Sequence, residues 1–227
     1  MIRTGRNTLW IFAIGFLPYI GSLAYVIAEV LPEFFGGRTA RRAKTGMQRM
    51  IDPNRDLRRA AAEVEISGNA DARRRLGEEL SERGQFDDAI EVFRGGLKGI
   101  FEHDPTLLLG LARAQFGKQD YTGARATLEG LSQHNPDFKS TDAQLLYART
   151  LEALDALEDA EREYARIAPG YPGAEARLRY GLLLKRRGNL QEAQRVLKDL
   201  LDGAKLGPAH YRRAQSEWLD RARRELS

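Results

Sequence analysis

The chain has 227 residues, of which 42% are apolar and 30% charged, with a mean hydropathy of −0.49; these values exclude a multi-span membrane protein and a disordered tail. Cysteine is absent and histidine occurs three times, which removes disulfide frameworks, thiolate metal sites and cysteine nucleophiles and leaves little for histidine catalysis. The net charge of +4 is uneven: residues 1–59 hold ten Lys/Arg against four Asp/Glu, and residues 60–227 hold twenty-six against twenty-eight. A nucleic-acid binder carries its basic stripe on the folded domain, so no nucleic acid is expected as a partner. Arginine outnumbers lysine 29 to 7, a usage associated with GC-rich bacterial genomes.

Residues 1–35 read as a membrane anchor. Leu9–Leu31 is 23 residues long and broken only by Glu29, and ~20 helical residues cross a ~30 Å hydrocarbon core. Trp10, Ile11, Phe12, Ile14, Phe16 and Leu17 leave no polar face, which argues against a buried core helix. Pro18, Gly15 and Gly21 would kink the segment, which membranes tolerate. Trp10 and Tyr25 suit the two interfaces. The rival reading is a cleaved signal peptide, with Arg3 and Arg6 as its basic start and Ser22-Leu23-Ala24 as a small-x-small site. Against it, Tyr25–Ala28 and Val30-Leu31 keep the chain apolar past that site.

Positive charge follows the apolar run at Arg38, Arg41, Arg42, Lys44, Arg49, Arg55, Arg58 and Arg59, against only Arg3 and Arg6 before it. Such asymmetry places the following domain in the cytoplasm, as a single-pass protein of the bacterial inner membrane. The basic stretch either lies on anionic headgroups or is a solvated linker. Trp10, Pro18-Tyr19-Ile20-Gly21 and Tyr25 together resemble the amino-terminal membrane segment of phospholipase D-type cardiolipin synthases. That segment usually has two apolar helices, and only the second is visible here; either the first is lost or the assigned start lies downstream of the true one. The resemblance implies an anchor in a lipid bilayer and not the chemistry: the synthases act through paired His-x-Lys-x4-Asp motifs, and no histidine here has a lysine two residues on.

Residues 36–69 then read as a basic juxtamembrane linker followed by a capping helix over Pro53–Ile66, with Leu57, Ala61 and Val64 on one face. Residues 70–207 hold an internal repeat. Leu76-Gly77, Leu111-Ala112, Tyr147-Ala148 and Tyr180-Gly181 are four large-then-small pairs. Thirteen residues after each large residue stands Ala89, Ala124, Ala160 or Ala193. Four residues after each alanine stands Phe93, Leu128, Tyr164 or Leu197, and three before it stands Phe86, Tyr121, Leu157 or Leu190. The pattern predicts two amphipathic helices per unit, crossing at the small residues and joined by turns such as Arg83-Gly84-Gln85 and Arg187-Gly188-Asn189. One hairpin cannot bury both its faces, so the units stack into a solenoid. Residues 208–227, with Tyr211, Gln215, Trp218 and Ala222 along one side, read as a carboxy-terminal capping helix, in which Trp218 packs under the last repeat.

These columns, with Pro136 and Pro172 closing two units, resemble the tetratricopeptide repeat. The resemblance implies an all-α, right-handed solenoid of about four helical hairpins, here preceded by a transmembrane helix. Arg73 stands where the family prefers an aromatic, Gly95, Gly96 and Gly99 fall in the first unit's second helix, and Pro105 and Pro208 come late. Interior glycines cost up to ~1 kcal/mol each relative to alanine, so that helix is expected either to be the weakest or to pack unusually close to a neighbour. The family binds an extended peptide or helix in the concave groove lined by its first helices. Its groove offsets fall on Arg74, Leu109, Leu145 and Leu178 in one row, on Glu78, Arg113, Arg149 and Leu182 in the next, and on Ser81, Phe116, Glu152 and Lys185 in a third. Of these, Arg74, Leu109, Arg113, Phe116, Leu145, Arg149, Leu178 and Lys185 are the candidate partner-binding residues. An apolar segment bearing acidic residues or a free carboxylate would suit them, because arginine forks carboxylates. The alternative is that Glu152 and its neighbours pair with the arginines. The clamp for chaperone tails uses Lys and Asn in the first repeat, where this chain has Arg74 and Glu78.

His103-Asp104-Pro105 and His134-Asn135-Pro136 look alike and read as residues satisfying the last carbonyls of a helix. No paired carboxylates, phosphate loop or nucleophile–base set stands out, so no catalytic residue, metal, cofactor or small-molecule substrate is expected. The sequence thus points to a membrane-tethered scaffold with a protein or peptide partner. An exported periplasmic assembly factor and a non-catalytic accessory to lipid metabolism are the alternatives.

Overall fold

The computed structural model describes residues 54–226. The chain divides into two units, residues 1–56 and 57–227. The membrane anchor with Trp10, Pro18, Gly21 and Tyr25, the signal-peptide alternative and most of the basic linker lie outside the described residues. Among the described residues the structure is wholly helical. Helix α1 (Arg55–Ser67) precedes four hairpins: α2 (Ala70–Glu82) with α3 (Phe86–Gly96), α4 (Pro105–Gly117) with α5 (Tyr121–His134), α6 (Thr141–Ala153) with α7 (Leu157–Ile167), and α8 (Glu175–Arg186) with α9 (Leu190–Leu206). Two shorter helices follow, α10 (Ala209–Ala214) and α11 (Ser216–Leu226). No helix among the described residues is long and apolar enough to cross a membrane.

Helix starts are written in the sequence. The side chains of Asn69, Asp104, Asp120, Ser140 and Asn189 each accept a backbone N–H of the helix that follows, satisfying donors that have no partner inside the helix. Pro105 opens α4, where its missing N–H costs nothing. The turn inside each hairpin requires a residue with positive φ. Gly84 and Gly188 supply it in the first and fourth hairpins, whereas Gln119 (φ 69°) and Asp155 (φ 59°) occupy it in the second and third.

The repeat columns become the core. Ala89, Ala124, Ala160 and Ala193 are buried, as are Phe93, Leu128, Tyr164 and Leu197. Small residues are needed because the helices touch there. A Cβ added to Gly77 would lie 2.5 Å from the Phe93 ring, and one on Gly110 would also strike it, so Phe93 sits against the backbones of both α2 and α4. Gly181 meets Leu197 in the same way. The Phe86 ring lies against Gly117 at the end of the next hairpin's first helix. Leu190, its counterpart in the fourth hairpin, is followed by no further hairpin among the described residues and is 56% exposed.

Three local departures have physical causes. The glycines of the first hairpin match Arg73: its guanidinium and stem occupy the space that Cβ atoms on Gly95 and Gly96 would take, and its Nε donates to Gly68 O at 3.2 Å. Close packing, rather than a weak helix, is therefore the role of that pair. Gly99 stands outside the helix, in a 3-10 turn over Gly99–Phe101. At the other end the cap is two helices and not one, because the chain breaks at Gln215, whose Oε1 accepts the Ala174 N–H at 2.9 Å. That amide precedes α8, whose cap residue has no side-chain oxygen of its own to offer.

Candidate partner-binding groove

The first helices pack against one another, α2 on α4 and α4 on α6, so their outward side chains form the inner wall of the solenoid. Leu109, Leu145 and Leu178 do not reach that wall. Their exposures are 8%, 4% and 0%, and each is packed in a core cluster with the second helices. The groove-lining role expected for these three leucines is thus corrected: they back the wall from inside, because burying a leucine stabilises by about 1.5–3 kcal/mol and draws it into the core.

The wall itself is a ladder of rings and charges running from α4 to α11. The Arg149 guanidinium lies over the Phe116 ring, 4.8 Å from its centroid. Its NH1 is 3.5 Å from Glu175 Oε1, longer than a normal hydrogen bond. Glu175 is already engaged, accepting from Arg179 Nε at 2.7 Å. Arg179 lies 5.8 Å from the Trp218 ring centroid and 4.0 Å from Glu152. Glu152 in turn accepts the Tyr164 hydroxyl at 2.7 Å. Phe116, Arg149, Glu152, Ala153, Asp155, Arg179 and Arg186 line a cavity of about 600 Å³, within the range of ligand sites.

Burial pushes the Tyr164 phenol far above its ordinary range, and the Glu152 charge adds to it. Burial alone would lower Arg179, but its hydrogen bond to Glu175 and the surrounding negative charge hold it above the usual arginine value. Tyr171 is raised by burial and then by the charges of Asp142 and Glu175. Carboxylates therefore compensate most of the cations, as the self-pairing alternative expects. Arg149 shares Glu175 at 3.5 Å, and its Nε is buried with no hydrogen-bond partner. A buried donor without an acceptor costs about 1–3 kcal/mol, while other parts of the Arg149 side chain line the open cavity.

The other candidate cations are placed differently. Arg113 pairs with Asp142, in the first turn of α6, at 3.1 Å. Arg74 is folded onto its own helix between Asp71 and Glu78, at 2.7 Å from each. Lys185 reaches Glu225 of α11 at 2.9 Å. The structure thus brings together Phe116 and Arg149, keeps Arg113 nearby through its pairing with the start of α6, and turns Arg74 and Lys185 to other partners. Glu175, Arg179 and Tyr171 complete the wall and were not singled out in the sequence. The i,i+4 spacing of Glu175 and Arg179 was their only signal. Trp218 both packs on the last core cluster and meets Arg179.

The two histidine motifs come together, their rings stacked with centroids 3.8 Å apart. His134 Nδ1 lies 2.9 Å from Gly130 O, at the end of α5, and Asn135 Nδ2 donates to His103 O at 2.9 Å. Among the described residues there is no group of three or more His, Asp or Glu that could hold a metal ion.

Residues 80–140 match the tetratricopeptide repeat family. No curated protein sequence matches the chain. Solved structures do. MamA, residues 41 to the end, from Desulfovibrio magneticus RS-1 superposes with a TM-score of 0.62 at 16% identity, covering 76% of this chain and 99% of that one. Another MamA structure gives 0.59 at 19% identity over 74% and 94%. YrrB, described as a TPR protein with an unusual peptide-binding site, gives 0.54 at 18% identity over 63% and 73%. At these identities the likeness establishes the fold: an all-helical tetratricopeptide-type solenoid.

Proposed function

We propose that the protein is a non-catalytic, membrane-tethered scaffold whose groove holds an apolar protein segment bearing a carboxylate. The observation that carries the reading is Arg149, stacked on Phe116 at the open cavity, with its carboxylate neighbour Glu175 at 3.5 Å and already engaged by Arg179. A carboxylate entering the cavity would give the Arg149 guanidinium a closer acceptor than Glu175, and charge-assisted hydrogen bonds of this kind are about twice as strong as neutral ones. Phe116 and Ala153 offer the apolar contact beside it. Compensation elsewhere in the wall favours a single well-placed acid over a polyacidic stretch. The solenoid fold, shared with a protein described as binding peptides, supports a peptide or protein as the ligand class.

The 23-residue apolar run and the positive charge that follows it favour an inner-membrane span with the repeats in the cytoplasm. Holding the groove at the membrane raises the effective concentration of partners already there. The binding proposal is tested by selecting short random peptides, displayed on phage, on the immobilised full chain. Enrichment of one acidic residue beside apolar ones is expected; sequences without an acid, or no enrichment at all, would overturn it.

A further inference from the structure

We infer that the carboxy-terminal cap holds a second binding site, for a phosphate monoester carried on an apolar group. It is independent of the groove. Helices α9, α10 and α11 enclose a cavity of about 370 Å³ whose walls are apolar, with Leu201 and Ala204 among them. The remaining lining residues are Lys198 and Lys205 on α9, Arg212 on α10 and Arg223 on α11, which present mainly their aliphatic stems to the cavity, with Asp202 the one carboxylate.

The charges are unevenly matched. Lys205 pairs with Asp202 at 2.7 Å and Arg223 pairs with Asp220. Both are exposed pairs three residues apart, of the kind worth little in water, so these cations can turn to a ligand. Arg212 has no carboxylate partner; its NH1 donates to Gly207 O and, at 3.4 Å, to Lys205 O. That bond fixes the guanidinium over the end of α9 and leaves its other donors for an anion. Lys198 also has no ion-pair or hydrogen-bond partner among the described residues. Four cations against Asp202 and Asp220 leave a charge of +2, which a phosphate monoester of about −1.5 to −2 neutralises and a single carboxylate does not. The arginine forks suit its oxygens, and the apolar walls suit an attached hydrocarbon. The sequence hides the site because its cations come from three helices, although Lys198, Leu201, Asp202 and Lys205 do share one face of α9 at helical spacing.

The test titrates the full chain, in an uncharged detergent, with dihexanoyl phosphatidic acid, with inorganic phosphate and with dihexanoyl glycerol, read by calorimetry. Saturable binding of the phosphatidic acid to one site is expected, at least tenfold tighter than phosphate, with no binding of the glycerol. Lys198→Gln should weaken it at least fivefold without moving the melting temperature, and Arg212→Gln should weaken it further. Lys98→Gln, outside the cavity, should leave it unchanged. Equal affinity in wild type and Lys198→Gln, or an equal loss in Lys98→Gln, would overturn the site. Phosphate binding as tightly as the phosphatidic acid would overturn the apolar part of the ligand, and tight binding of the glycerol would overturn the anionic part.

Discussion

Phe93 and Tyr164 occupy the same column in different repeats and do different work. Phe93 lies against two helix backbones, which is possible only because Gly77 and Gly110 have no Cβ. Gly110→Ala should therefore destabilise the chain by about 1–3 kcal/mol, the range for overpacking a filled core. Gly130→Ala, in α5 with open space around it, should instead stabilise by up to about 1 kcal/mol through helix propensity. Urea denaturation of the two variants gives both signs in one experiment. Tyr164 is buried with its hydroxyl on Glu152, and burial raises its pKa. A raised pKa means that its stabilising contribution is intact below the unfolded value of about 10 and is lost as pH rises beyond it. Above about pH 10 the wild type should lose up to about 1.4 kcal/mol per pH unit more than Tyr164→Phe. Parallel pH profiles for the two proteins would contradict this.

At the scale of elements, the hairpins and their register are legible in the sequence because the small-residue and large-residue columns are dictated by backbone contact. What was not legible depends on partners distant in sequence. Gln215 breaks the terminal cap because it accepts the Ala174 amide, 41 residues away, and no helical period reveals that. Leu109, Leu145 and Leu178 sit at the boundary between groove and core, where an offset carried from a family cannot decide the side and hydrophobic burial does. Arg149 and Phe116 were legible, whereas the assembly of Glu175, Arg179 and Trp218 around them needed the superposed helices. Gln215→Ala should cost about 1 kcal/mol and speed hydrogen exchange at the start of α8 more than elsewhere. The turn residue Gln119 holds a positive φ that an L side chain adopts at a cost of about 1–2 kcal/mol. Gln119→Gly should accordingly leave stability equal or higher by up to about 1 kcal/mol, in contrast to the usual effect of adding a glycine.

At the scale of the whole molecule, the charge asymmetry between residues 1–59 and the rest sets the proposed orientation, with the repeats in the cytoplasm. The absence of cysteine makes this testable with single replacements. Ser140→Cys, at the cap of α6, should resist a membrane-impermeant maleimide in intact spheroplasts and react after lysis. Labelling in intact spheroplasts would favour the exported alternative. Arg149, stacked on Phe116 at the open cavity with Glu175 held at 3.5 Å, defines what the groove is proposed to hold. The decisive measurement is the equilibrium affinity of one display-selected acidic peptide for wild type, Arg149→Gln and Phe116→Ala. A loss of about tenfold or more is expected in Arg149→Gln, the worth of a hydrogen bond to a charged group, and a smaller loss in Phe116→Ala. Unchanged affinity in Arg149→Gln would contradict the proposed binding mode.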